Sequence, residues 1–369
     1  MRFSFSHNLS KRFESESIIV RVEDEKGNCG YGEGAPRSYV TGENLTSCDT
    51  FLKEIVSHWV LKKVWNNSIE SRNDLLHFLS EFHAEFPTYH KDEVIAWNAS
   101  KSAVEIAILD CLFHRINGSF HDFFPMNREN LFFGAGIGAY SPIKSAIIAL
   151  IFVTLGFKDI KIKLNHSMDK ERISMVRSQL GENICIRVDA NMGYDFNKDE
   201  DLQSLMSLKE YNVISIEQPF IRGNHKEIRK TKPRIGVPLM ADESLITEED
   251  GLQIIEEGSY DAFNLRVSRL GGIYPFMRMV ELARENGIWF QIGCHIGELA
   301  ILSRVGQLLA SYYPDAKYLE GGYGRLLLKT DIDKDSKTID YAGKMKVQES
   351  SNFGYEIHEE ILKKYSRLI

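Results

Sequence analysis

Long apolar runs are missing from this chain. No stretch approaches the roughly 18 consecutive apolar residues of a membrane-spanning helix, so no membrane partner is expected. The opening MRFSFSHNLSKRFESES lacks the apolar core, roughly 7–15 residues, of a signal peptide. Cysteine is scarce: Cys29, Cys48, Cys111, Cys185 and Cys294 are scattered and odd in number. That excludes a disulfide framework and fits reduced thiols in a cytoplasmic protein. Basic residues form no long stripe and the net charge is −7, so nucleic acid is not an expected partner. Low-complexity segments are absent. What remains is an ordinary globular composition over 369 residues, 43% hydrophobic and 26% charged. Such a length accommodates two to three domains of about 100–200 residues, or one barrel of about 250 with an addition.

The first forty residues read as a β-meander. Ile18, Val20 and Val22 alternate with Ile19, Arg21 and Glu23, the strand period of two. Asp24-Glu25-Lys26-Gly27-Asn28 supplies a turn, and Gly30-Tyr31-Gly32-Glu33-Gly34-Ala35-Pro36 reads as a strand running into a glycine-rich loop. Residues 44–118 are helical in pattern. Asn44 or Thr46 can cap the first helix, whose stripe is Phe51, Leu52, Ile55, Val56 and Trp59. The last helix has Ser102 as its expected N-cap and closes at Asn117-Gly118. A meander followed by helices is an α+β unit.

From about residue 130 short apolar runs alternate with helical stretches: 131–135, 159–164, 184–189, 213–217, 237–241, 262–266, 288–293 and 317–319. Eight strands alternating with helices imply parallel βαβ units and a closed α/β barrel. The tail after residue 325 is polar, ends in a helix-like stretch over 357–365, and is expected to return to the N-terminal unit.

One spacing carries the functional reading. Lys163, Asp189, Glu217, Asp242, Arg266, His295 and Glu320 each fall at or just beyond an expected strand end, at gaps of 26, 28, 25, 24, 29 and 25 residues. One βα unit is about that long, and strand C-termini in such a barrel converge on the active-site face. Three successive members of the set, Asp189, Glu217 and Asp242, are carboxylates that would repel one another in one mouth. A hard divalent cation, Mg²⁺ or Mn²⁺, is the usual resolution. Lys161 and Lys163 share a face of their strand, the barrel interior, where a lysine is costly unless paired. A lysine beside a cation and an apolar wall can have its pKa drawn down towards use as a base.

The ordered set Lys161-Ile162-Lys163, VDAN ending at Asn191, IEQPF containing Glu217, and ADES containing Asp242-Glu243 resembles the enolase superfamily. The similarity is to its muconate-lactonising-enzyme-like branch, which includes dipeptide epimerases and o-succinylbenzoate synthase. GYGEGAPRSYVTGE, Leu270-Gly271-Gly272 and GCHIGE extend the resemblance over nearly the whole chain. It implies an α/β fold, a (β/α)7β-type TIM-like barrel over residues 126–325. It also implies an α+β capping domain from residues 1–125 with the tail 326–369. Mg²⁺ on Asp189, Glu217 and Asp242 would hold a small-molecule carboxylate substrate. Lys163 would remove the proton beside that carboxylate, with Lys161 as an electrostatic helper, and the metal would stabilise the enediolate. A homo-oligomer is expected.

The chain departs from the branch pattern at three places. Arg266 stands where a second lysine is usual, and a guanidinium is effectively never deprotonated. One-base chemistry, β-elimination or cycloisomerisation, is therefore expected rather than two-base racemisation by a lysine pair. Cys294-His295-Ile296-Gly297-Glu298 replaces Met-x-Glu, which makes His295 a candidate second acid or base. Beside Arg266 a neutral histidine would stay available as a base. Glu320 before Gly321-Gly322 replaces an aspartate pair that grips a dipeptide ammonium. Arg37, Ser38 and Tyr39 follow a Gly-Ala-Pro turn and can reach over the barrel mouth, with Arg37 and Tyr39 as substrate contacts. The rival readings are an epimerase of N-acyl amino acids or dipeptides using Lys163 and His295, and a barrel that binds metal and ligand without catalysis. A phosphate-binding barrel is disfavoured, because no glycine-rich phosphate loop follows strands seven and eight beyond Gly321-Gly322-Tyr323-Gly324.

Overall fold

The computed structural model describes residues 5–7, 10–12, 14–63, 69–91, 93–334 and 338–367. Two antiparallel hairpins open the chain: β1 (Phe5–His7) with β2 (Ser10–Arg12), and β3 (Ile18–Glu23) with β4 (Cys29–Gly34). The second turn is built as expected. Asp24 Oδ1 accepts from the Lys26 and Asn28 N–H groups at 2.9 Å, and Gly27 takes φ +84°. The glycines of β4 serve packing rather than a loop. A Cβ on Gly30, Gly32 or Gly34 would lie about 2 Å from backbone atoms of the Asn98–Ile116 helix, which rests directly on the strand.

Asn44 caps the Leu45–Phe51 helix in a capping box with Ser47. The Asn98–Ile116 helix starts four residues before the expected cap. Its early N–H groups at Ala99 and Ser100 are capped at long range by the buried carboxylate of Glu43, at 2.9 and 3.0 Å. Ser102 is interior and donates to the Glu33 carbonyl at 3.2 Å. The helix ends at Asn117 with φ +50°, the left-handed stop read from Asn117-Gly118.

The barrel sheet holds seven parallel strands in chain order: β6 (Ala135–Ile137), β7 (Asp159–Lys163), β8 (Cys185–Asp189), β9 (Val213–Glu217), β10 (Leu239–Ala241), β11 (Ala262–Leu265) and β12 (Trp289–Ile292). Two expectations are corrected. The run 131–135 is not one barrel strand. Its first part, β5 (Asn130–Phe132), pairs antiparallel with β13 (Lys344–Lys346) of the tail, and the barrel begins only at Ala135. The run 317–319 is a single parallel bridge between Ile292 and Leu319, not a full strand. It still closes the ring, because the Leu319 carbonyl accepts from the Gly134 N–H at 2.9 Å.

Part of the tail packs on the N-terminal layer. Asn352 bonds Gly118 and Phe120, Phe353 is fully buried, and Tyr355 donates to the Tyr31 carbonyl at 2.7 Å. All five cysteines are free thiols. Among the described residues no helix is long and apolar enough to cross a membrane.

Candidate active site

Strand alternation divides β7 into two faces. Ile160 and Ile162 are fully buried on one, and Asp159, Lys161 and Lys163 share the other. Register then sets neighbours side by side, Lys163 opposite Asp189 and Asp189 opposite Glu217. Lys163 Nζ donates to Asp189 Oδ2 at 2.6 Å and to Asn191 Oδ1 at 2.7 Å. Lys161 Nζ lies 2.6 Å from Glu320 Oε1, 3.2 Å from Glu217 Oε2 and 3.4 Å from Asp189 Oδ2. Arg187 joins the same network, pairing with Asp159 at 2.6 Å and Glu320 at 3.1 Å.

Arg266 follows β11 and lies against the third carboxylate. Its Nε and Nη2 donate to Asp242 Oδ1 and Oδ2, both at 2.8 Å, and Nη2 also reaches Glu217 Oε1 at 3.3 Å. Arg269 donates to Asp242 Oδ1 as well. Asn264 bridges the two carboxylates, donating to Glu217 Oε1 at 3.0 Å and Asp242 Oδ1 at 2.7 Å. Glu243 Oε1 accepts from Asn191 Nδ2 at 3.0 Å, whereas its buried Oε2 has no partner among the described residues.

The carboxylates titrate apart according to their neighbours. Burial pushes Glu217 up to about 8, reinforced by repulsion from Asp189. Burial and Asp242 hold Glu243 up at about 7. Burial also acts on Asp189, but Lys163 and Lys161 outweigh it and keep the carboxyl well below the usual range. Lys161 and Arg187 likewise hold Glu320 down at about 2 despite its burial. For Lys161, burial favours neutrality, yet Glu217, Glu320 and Asp189 dominate and hold it firmly protonated.

Among the described residues no group of three or more acidic, histidine or cysteine side chains is arranged to hold a metal ion, but the oxygen donors themselves are of the kind a hard cation takes. Asp189, Glu217 and Asp242 are buried oxygen donors at the ends of β8, β9 and β10, and Glu217 and Glu243 ionise only against burial and repulsion from Asp189 and Asp242. Added positive charge at that point relieves both effects.

The expected site residues fall into two groups. Lys163, Asp242, Arg266, His295, Arg37 and Tyr39 line one cavity, together with Asn191, Glu243 and Arg269. Lys161, Asp189, Glu217 and Glu320 form the charged network on which it rests. Arg37 is buried and ties the loop to the barrel, donating to the Pro36 carbonyl at 2.7 Å and to those of Glu16 and Ile296 at 3.3 Å. Glu320 faces Lys161 and Arg187. Asn191, Glu243, Asn264, Arg269 and Arg187 had no assigned role in the sequence reading. Asn191 and Glu243 lay within the quoted VDAN and ADES motifs. Arg187 and Asn264 sit two residues before Asp189 and Arg266, a period-two signal that was available.

A family model described as enolase C-terminal domain-like matches residues 147–361. The chain belongs to the enolase superfamily. Within it the chain is similar to the N-succinyl-L-Arg/Lys racemase of Bacillus cereus, 28% identical over 83% of this chain and 79% of the relative. The crystal structure of that racemase superposes with a TM-score of 0.85 at 25% identity, covering 99% of this chain and 94% of the other. The o-succinylbenzoate synthase of Bacillus subtilis is 23% identical over 98% of this chain and 95% of its own. A dipeptide epimerase from Enterococcus faecalis, solved as a complex with Mg and L-Leu-L-Tyr, shares the fold with a TM-score of 0.80. It is 22% identical and covers 95% of each chain. This enolase-superfamily chain is an enzyme of the muconate-lactonising-enzyme-like branch, with a barrel of the TIM type.

Proposed function

We propose that the protein is a Mg²⁺-dependent lyase or isomerase that removes the proton α to a substrate carboxylate, with Lys163 as its one base. The carrying observation is that Lys163, held at 2.6 Å by Asp189 and 2.7 Å by Asn191, lines one cavity with Arg266 and Arg269. That cavity offers one lysine for the proton and guanidinium groups for the negative charge that develops.

Asp189, Glu217 and Asp242 would hold the cation, and Mn²⁺ suits the same oxygens. When bound, it supplies electrophilic stabilisation of the substrate carboxylate. Lys163 accepts the α-proton at Nζ, and the C–H electron pair moves into the enediolate. Arg266, fixed against Asp242, keeps its charge throughout. Lys161 stays protonated among Asp189, Glu217 and Glu320 and holds them in register. Asn191 fixes the Lys163 amine on the cavity wall. Collapse of the enediolate then expels a β-substituent or closes a ring, neither of which needs a second base. Arg37 and Tyr39 cover the mouth and shield the intermediate from water.

A second reading, epimerisation of an N-acyl amino acid or dipeptide, is favoured by one observation: His295 lines the same cavity as Lys163. The test is α-proton exchange in heavy water across a library of carboxylates with Mg²⁺ present. Loss of a β-substituent accompanying exchange supports the first reading, and exchange with inversion and no net conversion supports the second. No exchange with any carboxylate overturns both.

A further inference from the structure

Two helices of the barrel wall take N-terminal caps from the N-terminal layer. At the start of the Ile273–Glu285 helix, the Ile273 and Tyr274 N–H groups donate to Glu105 Oε1 at 2.7 and 3.2 Å. Glu105 belongs to the Asn98–Ile116 helix. At the start of the Ala300–Tyr312 helix, the Leu299 and Leu302 N–H groups donate to Glu33 Oε1 and Oε2 at 2.8 and 3.0 Å. Between them the Ala300 N–H goes to Asp331 Oδ1 at 3.0 Å. Glu33 lies on β4, and both glutamates are buried. Neither helix caps itself, since Gly272 and Leu299 hold the N-cap positions. The first N–H groups of a helix have no partner within it, and a carboxylate suits them in both charge and geometry. Here the carboxylates come from 168 and 266 residues away in the chain.

Each capped helix follows a loop that carries part of the site. Arg266 and Arg269 lie between β11 and Ile273, and the N-terminal layer binds that stretch twice more. The Ala35 N–H donates to Ser268 Oγ at 2.8 Å, and Asn98 Nδ2 donates to the Arg269 carbonyl at 2.6 Å. His295 lies four residues before Leu299, and Arg37 Nη2 donates to the Ile296 carbonyl beside it at 3.3 Å. Lys163, Asp189 and Glu217 are set differently, by strand register within the sheet. One side of the site is thus fixed by the sheet, and the other by a layer seated on it.

We infer that Glu33 and Glu105 are positioning residues: by capping these two helices they hold His295 and the Arg266–Arg269 segment in place opposite Lys163. They act through the loops and not on the substrate. The inference rests on the proposed α-proton chemistry for what the site does, and adds what sets half of it. A misplacement of about 1 Å in such a site can cost ~10² in rate. The two glutamates differ in a way that can be tested. Both oxygens of Glu33 face donors, since Ser17 Oγ also donates to Oε1 at 2.8 Å. Glu105 turns only Oε1 to the helix, while Oε2 bonds His83 Nε2. An amide offers one oxygen and one NH₂. Glu105→Gln therefore keeps the cap, with its NH₂ turned to His83, whose neutral ring nitrogen accepts. Glu33→Gln sets its NH₂ against a donor whichever way it turns.

Amide hydrogen exchange over residues 266–272 and 293–298, read by mass spectrometry, tests this in Glu33→Gln, Glu105→Gln and Glu105→Leu. Neither segment contains an N–H bonded to the two glutamates, so faster exchange there reports movement of the loop and not the lost bond itself. Turnover is read as α-proton exchange of whichever library carboxylate the wild type exchanges fastest. Glu33→Gln should speed amide exchange over 293–298, and Glu105→Leu over 266–272. Each should lower turnover by ~10². Glu105→Gln should stay close to wild type in both readouts, a rescue that follows from which oxygen faces the helix. Unchanged protection of both segments, equal loss in Glu105→Gln and Glu105→Leu, or protection lost throughout the barrel would overturn the inference. So would loosened loops with unchanged turnover. A wild type that exchanges no carboxylate, with the loops still loosened as described, would remove the chemistry and leave the positioning standing. Carboxylate exchange with unmoved loops would do the reverse.

Discussion

The guanidinium of Arg266 grips the carboxylate of Asp242 through two parallel hydrogen bonds, Nε to Oδ1 and Nη2 to Oδ2, each 2.8 Å long. Burial opposes its charge, yet Asp242 and Glu217 hold it protonated far above the usual range. A group so held orients and stabilises but does not accept a proton. Arg266→Met should lower turnover by ~10²–10³, the usual cost of removing a preorganised donor to a developing oxyanion. Arg266→Lys keeps the charge, loses the fork and can deprotonate. Native turnover should fall, and deuterium should begin to enter from the second face. Unchanged turnover in both variants would remove Arg266 from the chemistry.

Lys161 is bracketed by Asp189, Glu217 and Glu320, all buried. Removing one partner of a buried ionic network leaves its other members uncompensated, at a cost of about 3–5 kcal/mol. Lys161→Met should lose stability on that scale in urea titrations without added metal. Mg²⁺ should return part of it by supplying positive charge to the same carboxylates. A variant as stable as wild type would mean that Lys161 is dispensable to the network.

Cation binding should be visible as stability. A ligand bound only by the folded state at 100 times its Kd adds ~2.7 kcal/mol, so Mg²⁺ should raise the Tm of the wild type. Glu217→Gln preserves shape and removes one charged donor, and its Tm should respond weakly. An equal Mg²⁺-dependent shift in both proteins would place the cation elsewhere.

How much of this was legible beforehand follows from the distance between partners. The ring at Lys163, Asp189, Glu217, Asp242 and Arg266 was readable because βα units repeat at near-constant length, and that period needs no knowledge of contacts. The barrel's first strand was misplaced because residues 131–135 have strand chemistry throughout. What splits them is pairing of Asn130–Phe132 with Lys344–Lys346, over two hundred residues away. Ser102 was a plausible cap by local rules, but Glu43, 55 residues before Asn98, caps the helix instead. Period two could place Arg187 and Asn264 on the faces of Asp189 and Arg266, and Glu243 lies in the ADES motif, but their partners come from other strands and were not legible.

Asp110 offers a pH test away from the active site. Burial pushes it up to about 7, although its Oδ2 accepts from the Tyr31 N–H at 2.9 Å. An unfolded aspartate titrates near 3.9. The folded pKa is the higher one, so folding takes up a proton. The contribution is complete below the unfolded pKa and is lost as pH rises through about 7. Asp110→Asn is neutral at every pH and still offers an oxygen to Tyr31. The unfolding free energy of wild type minus that of the variant should therefore fall between pH 5 and pH 8. A pH-independent difference would show that Asp110 is ionised throughout.

The most direct measurement concerns Lys163: the rate and stereochemistry of α-deuterium incorporation in heavy water, for wild type, Lys163→Ala and His295→Ala, with Mg²⁺ binding recorded for each. If Lys163 is the one base, wild type incorporates deuterium on a single face. Lys163→Ala then abolishes incorporation while binding Mg²⁺ nearly as before, and His295→Ala leaves the face and most of the rate unchanged. Near-wild-type exchange in Lys163→Ala, or exchange on both faces that His295→Ala reduces to one, would contradict the one-base account.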